Sequence, residues 1–307
     1  LWVVDLQDRI DGHQRRVRAK TVVNATGPWV SQLFSDALQT PAPRQIRMVK
    51  GSHIVVPRLN RDTEAYILQN EDERIVFVIP YEEHFSLIGT TDVDYQGDPS
   101  KATISPEETD YLLAIVNQYF RRQLTAGDVV WSYSGVRPLI EEDGKDAKEV
   151  SRDYSFEVDE PQGKAPLISV FGGKITTYRK LAEAATNRLC EYFPRSSMPW
   201  TRQAVLPGGN FTSQKALTTS LLHRYPWLPD TLARRLVRTY GTLAFKVIGD
   251  SSSFEDMGPC FAADLTAREV DYLVENEWAR SAEDILWRRT KQGLFASPEP
   301  TLSLITI

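Results

Sequence analysis

The run LISVFGGKITTYRKLAEAATNRL, residues 167 to 189, constrains this chain more than any other stretch. A mostly apolar segment from Leu167 to Phe171 ends in Gly172-Gly173. Lys174 then leads into a segment whose Tyr178, Leu181, Ala182, Ala185 and Leu189 recur at helical spacing. The pattern predicts a strand, a tight turn and a helix. Paired glycines let backbone approach a ligand closely, and the free N–H groups of a helix start favour an anionic or electron-rich partner. Gly-Gly is also common punctuation, so on these residues alone an ordinary connection and a ligand-holding turn both stay open.

The rest of the chain sets bounds. Its 307 residues, 41% hydrophobic and 25% charged, are enough for two domains of ordinary globular composition. A net charge of −5 argues against a general nucleic-acid binder, which needs clustered Lys and Arg to neutralise phosphates. No apolar run approaches the roughly 20 residues that span a bilayer, so any membrane contact is expected to be peripheral. Cys190 and Cys260 fit no metal or redox spacing and read as reduced thiols of a cytoplasmic protein. The opening at Leu1, directly on the strand-like LWVVDL, raises the expectation that the chain is cut from something longer.

Residues 1 to 23 read as a hairpin ending in the strand Thr21–Val23, after which Asn24-Ala25-Thr26-Gly27 turns into a short helix from Val30 to about Leu38. Ala25 and Gly27 are small enough for a flat ligand to lie against the backbone, or for a tight exit from a sheet. Residues 44 to 160 are β-rich, with short strands at Gly51–Val56, Ala65–Leu68, Ile75–Ile79 and Phe85–Gly89. Ser105-Pro106-Glu107-Glu108 starts the one helix among them. The strand Val129–Ser134 leads to Gly135-Val136-Arg137-Pro138. Expected boundaries are therefore a first domain over 1–193, with its sheet at about 44–160 between segments at about 1–40 and 165–193, a linker over 194–209, and an all-α domain over 210–307.

Few residues offer chemistry. His53, in the strand Lys50–Val56, is the most interesting of four histidines; His13, His84 and His223 form no metal-ligand spacing with it or each other, so no metal site is expected. Arg137, Arg152 and Lys174 each stand at a strand end, and such cations form an anion site only if they converge. Gly89-Thr90-Thr91-Asp92-Val93-Asp94 offers two hydroxyls and two carboxylates after a strand; Asp-x-Asp alone is a weak metal signal, and the segment also reads as a capped turn. The sequence has neither a Gly-x-Ser-x-Gly elbow nor a Walker loop, which argues against Ser-His-Asp hydrolysis and P-loop chemistry.

In chain order, VVNATGPW, KGSHIVVP, AYILQNEDERIVFVIPY, IGTTDVDYQGDP, YSGVRPL, SRDYSFEV, LISVFGGKITTYRKLAEAA and ENEWARSAEDILWRRTKQGL resemble the FAD-dependent glycerol-3-phosphate dehydrogenases. The resemblance runs through essentially the whole chain. It implies an α/β flavin-binding fold of the D-amino-acid-oxidase type, interrupted by an antiparallel substrate sheet and followed by the helical domain. It implies FAD as cofactor, glycerol 3-phosphate as substrate and quinone as electron acceptor, with peripheral contact to the cytoplasmic membrane and an open question of a homodimer. By the same resemblance Ala25, Thr26, Gly27, Gly172 and Gly173 approach the flavin, supported by Thr90, Thr91 and Thr176. His53 and Arg137 then stand near the carbon-2 hydroxyl, with His53 as base, while Arg152 and Lys174 face the phosphate.

One departure is large: the family's opening Gly-x-Gly-x-x-Gly unit does not occur in these 307 residues. Weak or absent FAD binding by the chain alone is the corresponding expectation. An oxidase passing electrons to oxygen, a relative acting on another substrate, and a non-catalytic association domain are the alternatives.

Overall fold

Leu167, Ile168, Val170 and Phe171 are all buried, as expected of a strand covered on both faces. They belong to the first of two compact units, Leu1–Arg202 and Gln203–Ile307. The computed structural model describes residues 1–141, 153–160, 165–193 and 198–296.

The first unit opens with the antiparallel hairpin β1 (Trp2–Gln7) and β2 (Gln14–Ala19), followed by β3 (Val22–Asn24). The long β4 (Ile46–Pro57) is the spine of a six-stranded sheet. On one side it pairs with β7 (Phe85–Gly89) and β8 (Val93–Asp94), and β7 continues to β6 (Ile75–Tyr81) and β5 (Tyr66–Gln69). A helix, α1 (Pro106–Tyr119), comes next in the chain, and β9 (Trp131–Ile140) returns to pair antiparallel along β4. Ser105 and Glu108 close a reciprocal capping box at the start of α1. Leu112, Leu113, Ile115 and Val116 then cover one sheet face, packing on Ile54, Val56, Val76, Val78 and Ile88. Because side chains alternate along β4, Ser52 and Ile54 face α1 while Gly51 and His53 face the other way.

A three-stranded sheet joins β10 (Tyr154–Asp159), β11 (Leu167–Gly172) and β3, with β11 antiparallel to β10 and parallel to β3. After β11 the chain makes a 3₁₀ turn, Ile175–Thr177, and enters α2 (Tyr178–Leu189). The expected strand, turn and helix are thus present, with one extra turn between glycines and helix.

Several elements of the first unit differ from the sequence reading: the hairpin closes on Gln14–Ala19, and Val22–Asn24 pairs with β11 instead. Arg137 lies inside β9 rather than beyond its strand, because Gly135 and Pro138 are accommodated on an edge strand where a missing N–H disrupts no second ladder. The segment expected as a helix to Leu38 is a 3₁₀ turn, Gly27–Trp29, and a single π turn, Leu33–Leu38.

The second unit is helical: α3 (Gln214–Arg224), α4 (Asp230–Tyr240), α5 (Ala244–Ile248) and α6 (Ala267–Asn276) surround a core that includes Leu221, Leu232, Leu236, Ile248, Leu265, Leu273 and Ile285. It also holds a two-stranded ribbon, β12 (Cys260–Ala262) with β13 (Leu265–Thr266), turned at Ala263 with φ 43°, which short strands between helices do not announce in sequence. Ser281 and Asp284 exchange capping bonds ahead of a π turn, Asp284–Arg289. Thr266 caps α6 through the Glu269 amide, while the Glu269 carboxylate turns inward to Arg235 and Tyr240. Among the described residues no helix is long and apolar enough to cross a membrane.

Candidate active site

His53 sits in a cross-strand row between Gly89 on β7 and Tyr133 on β9. Its imidazole stacks on the Tyr133 ring, with centroids 4.9 Å apart and planes 8° from parallel. A Cβ placed on Gly89 would lie 2.2 Å from His53 Cδ2, so the imidazole occupies the space that glycine leaves. Burial, and secondarily the nearby Arg137 charge, push the His53 pKa down to about 4. The ring is therefore neutral at pH 7, the form that accepts a proton.

Arg137 enters the same face two rows away. Its guanidinium lies over Gly51, where an added Cβ would be 2.4 Å from Nη2. Nη1 donates to Asp92 Oδ1 at 2.7 Å and Nη2 to Thr90 Oγ1 at 3.0 Å. Gly51 pairs with Gly135, and nothing lies within 4 Å of a Cβ built on Gly135, so the space between His53 and Arg137 has a flat backbone floor. The glycines are thus structural counterparts of the His53 and Arg137 side chains. Gly89→Ala and Gly51→Ala are each expected to cut kcat/KM by about 10-fold or more, through displaced His53 and Arg137 respectively, at less than about 2 kcal/mol of stability. Steady-state kinetics alongside thermal denaturation check this; a variant that unfolds before it loses activity would contradict it.

The floor belongs to a cavity of about 600 Å³ whose other wall is Gly173, Lys174, Ile175 and Thr176. Gly172 and Gly173 have φ of 72° and 96°, and a Cβ on Gly172 would meet the Asp153 carbonyl oxygen at 2.6 Å. The turn therefore requires glycine for both conformation and space. The parallel partner of this strand, β3, ends beside it, which places Ala25, Thr26 and Gly27 at the same C-terminal sheet edge, where α/β folds bind ligands. There the Thr26 hydroxyl donates to Asn24 Oδ1, and buried Asn24 donates to the Val30 carbonyl.

Of the residues singled out in the sequence, His53, Arg137, Gly173, Lys174 and Thr176 meet on this cavity. Gly172 stands immediately behind it, and Thr90 reaches it through Arg137. Arg152 lies outside the described residues. Thr91 requires a correction: its side chain is buried on the α1 face and donates to Glu108 at 2.7 Å, away from the cavity, because side chains alternate along the segment. Tyr133 was not recognised as lining the cavity, nor Asp92 as holding Arg137, although both lie within quoted motifs. Among the described residues no cluster of His, Cys, Asp and Glu is arranged to hold a metal ion.

A family model described as FAD dependent oxidoreductase matches residues 2–179. The chain belongs to this FAD dependent oxidoreductase family. A second model, described as the C-terminal domain of alpha-glycerophosphate oxidase, matches residues 199–301. A glycerol-3-phosphate dehydrogenase of Pseudomonas aeruginosa is 49% identical over 305 residues, covering 99% of this chain and 59% of that protein. A D-erythritol 1-phosphate dehydrogenase of Brucella abortus is 42% identical over 295 residues, covering 95% and 59%. The crystal structure of the Bacillus halodurans glycerol-3-phosphate dehydrogenase complexed with FAD aligns with a TM-score of 0.78 at 28% identity, covering 95% of this chain and 57% of that one. The chain spans about three fifths of the length of the curated relatives it matches.

For this family member the cavity residues fit the ring end of a flavin. The floor at Gly135 is open, the Gly172-Gly173 turn brings bare backbone to its edge, and a His53 ring nitrogen is buried without a hydrogen-bond partner. The pyrophosphate end has no Gly-x-Gly-x-x-Gly turn among the 307 residues.

Proposed function

We propose that the protein carrying this chain oxidises glycerol 3-phosphate to dihydroxyacetone phosphate. The observation that carries the reading is the meeting of His53, Arg137 and Lys174 on one glycine-floored cavity beside the Gly172-Gly173 turn. The identities to polyol-phosphate dehydrogenases support the choice of substrate class.

In this reading Lys174 and Arg152 neutralise the phosphate dianion, the lysine as a point charge and the arginine as a fork. Arg137, held by Asp92 and Thr90, orients the carbon-2 hydroxyl, and neutral His53 takes its proton. FAD, when bound, supplies the acceptor for the hydride that leaves carbon 2. Arrival of the dianion offsets the Arg137 charge that depresses the imidazole, so the proton affinity of His53 rises as substrate binds. The imidazolium formed beside Arg137 is disfavoured once the product leaves, which returns the proton to water.

Gly172, Gly173, Ala25, Thr26 and Gly27 are assigned to the flavin, with Thr90 and Thr176 in support. Retention of FAD by these 307 residues alone is expected to be weak. A quinone acceptor, peripheral contact with the cytoplasmic membrane and a homodimer complete the reading; they rest on family resemblance.

The Brucella relative favours a second reading, a four-carbon polyol phosphate, for which the phosphate site is the same. A substrate comparison on the flavin-loaded protein, expressed from its full reading frame, separates the two. Glycerol 3-phosphate is expected to exceed both erythritol 1-phosphate and phosphate-free glycerol in kcat/KM by at least about 10-fold. Preference for erythritol 1-phosphate would move the assignment to the second reading, and equal use of glycerol would refute both.

A further inference from the structure

Glu108 is buried on the sheet face opposite the cavity, yet four donors converge on its carboxylate. Oε2 accepts from the Ser105 amide and from Lys50 Nζ, both at 2.8 Å. Oε1 accepts from Ser52 Oγ at 2.9 Å and from Thr91 Oγ1 at 2.7 Å. Capping α1 needs the first of these bonds alone. The remaining three bring together a buried ammonium and two buried hydroxyls, an arrangement costly to desolvate and therefore in need of a reason beyond the cap. Burial pushes the Glu108 pKa up, but Lys50 and the hydroxyl and amide donors outweigh it and keep the group ionised.

Thr91 is where this cluster meets the active site. Its hydroxyl donates to Glu108 and accepts from the Ser52 amide at 2.9 Å, so it is held from two elements. Its neighbours on either side, Thr90 and Asp92, project the other way and receive the two Nη groups of Arg137. The segment 90–92 thus crosses the sheet layer, fastened behind and holding the guanidinium in front.

We propose that Glu108, acting through Thr91, is a positioning residue for Arg137: it pins from behind the sheet the segment whose Thr90 and Asp92 side chains aim the guanidinium into the cavity. The inference rests on the reading of that cavity as the substrate site. It explains why a helix cap carries three surplus hydrogen bonds, and it makes α1 part of the active-site scaffold.

Thr91→Val keeps the shape of the side chain and removes both of its hydroxyl bonds. In the flavin-loaded protein it is expected to lower kcat/KM for glycerol 3-phosphate by about 10- to 100-fold with the flavin spectrum retained, and Thr91→Ser is expected to restore most of the loss. In an Arg137→Ala background the same Thr91→Val change is expected to cost less than about twofold more, because its effect runs through the missing guanidinium. Equal fold-losses in both backgrounds, or no loss in either, would overturn the proposal. A crystal structure of the Thr91→Val protein gives a readout independent of turnover: the guanidinium is expected to leave its place over Gly51, and an unmoved Arg137 would overturn the proposal. If Thr91→Val does not fold, Thr91→Ser with Glu108→Gln carries the same kinetic and structural arms. An Arg137→Ala enzyme as active as the parent would count against the functional reading of the cavity, and the position of the guanidinium in the crystal would still decide this inference.

Discussion

His53→Ala is expected to lower kcat of the flavin-loaded protein by about 10²- to 10⁴-fold while KM for glycerol 3-phosphate changes far less. The argument is geometric before it is electrostatic. The imidazole lies in the space above Gly89 and is stacked on Tyr133, so it is held in place before substrate arrives. No other histidine lines the cavity. Loss of affinity with unchanged kcat would remove His53 from the role of base. The same residue carries a pH signature. Its folded pKa of about 4 lies below the ordinary 6.5, so as pH falls through that window the unfolded chain takes up a proton that the folded chain refuses. This residue's contribution to stability is thus fully present above about pH 6.5 and declines toward pH 4. His53→Ala should flatten that part of the stability profile, as measured by denaturant titration across pH.

Glu269→Ala is expected to destabilise the C-terminal unit by about 3–5 kcal/mol, the usual consequence of stranding a buried charge. Glu269 is fully buried and receives two guanidinium bonds from Arg235, at 2.8 and 2.7 Å, together with the Tyr240 hydroxyl at 2.7 Å. Its removal leaves Arg235, itself buried, with Asp264, about one third exposed at 32%, as its carboxylate partner. The cluster ties α4 to the start of α6, so its loss should loosen both helices together. Denaturant unfolding of the purified protein checks the magnitude. A loss below about 1 kcal/mol would mean that water reaches Arg235 and that the cluster is not the closed ion pair described here.

The strands at Phe85–Gly89 and Ile75–Ile79 and the cap at Ser105 were legible because alternation and capping are local signals. So was the Gly172-Gly173 turn, since positive φ leaves its mark as glycine. Arg137 was misplaced just beyond its strand because Gly135 and Pro138 normally interrupt strands, and only the edge position of β9 permits them. Register was the larger omission. That Gly89 faces His53, and that Gly51 lies beneath Arg137, follows from pairings between segments tens of residues apart, which no local pattern states. Thr91 and Glu108 were read through their nearest neighbours, as a flavin contact and a cap; the bond between them, on the α1 face of the sheet, joins segments that no local pattern relates.

The most direct measurement is the anaerobic visible spectrum of the flavin-loaded protein, from its full reading frame, on addition of glycerol 3-phosphate. Loss of the oxidised flavin band in the parent protein, with the His53→Ala protein reduced at least about 100-fold more slowly, is the predicted result. A flavin that stays oxidised with glycerol 3-phosphate, or that His53→Ala bleaches as fast as the parent, would contradict the assignment of this cavity.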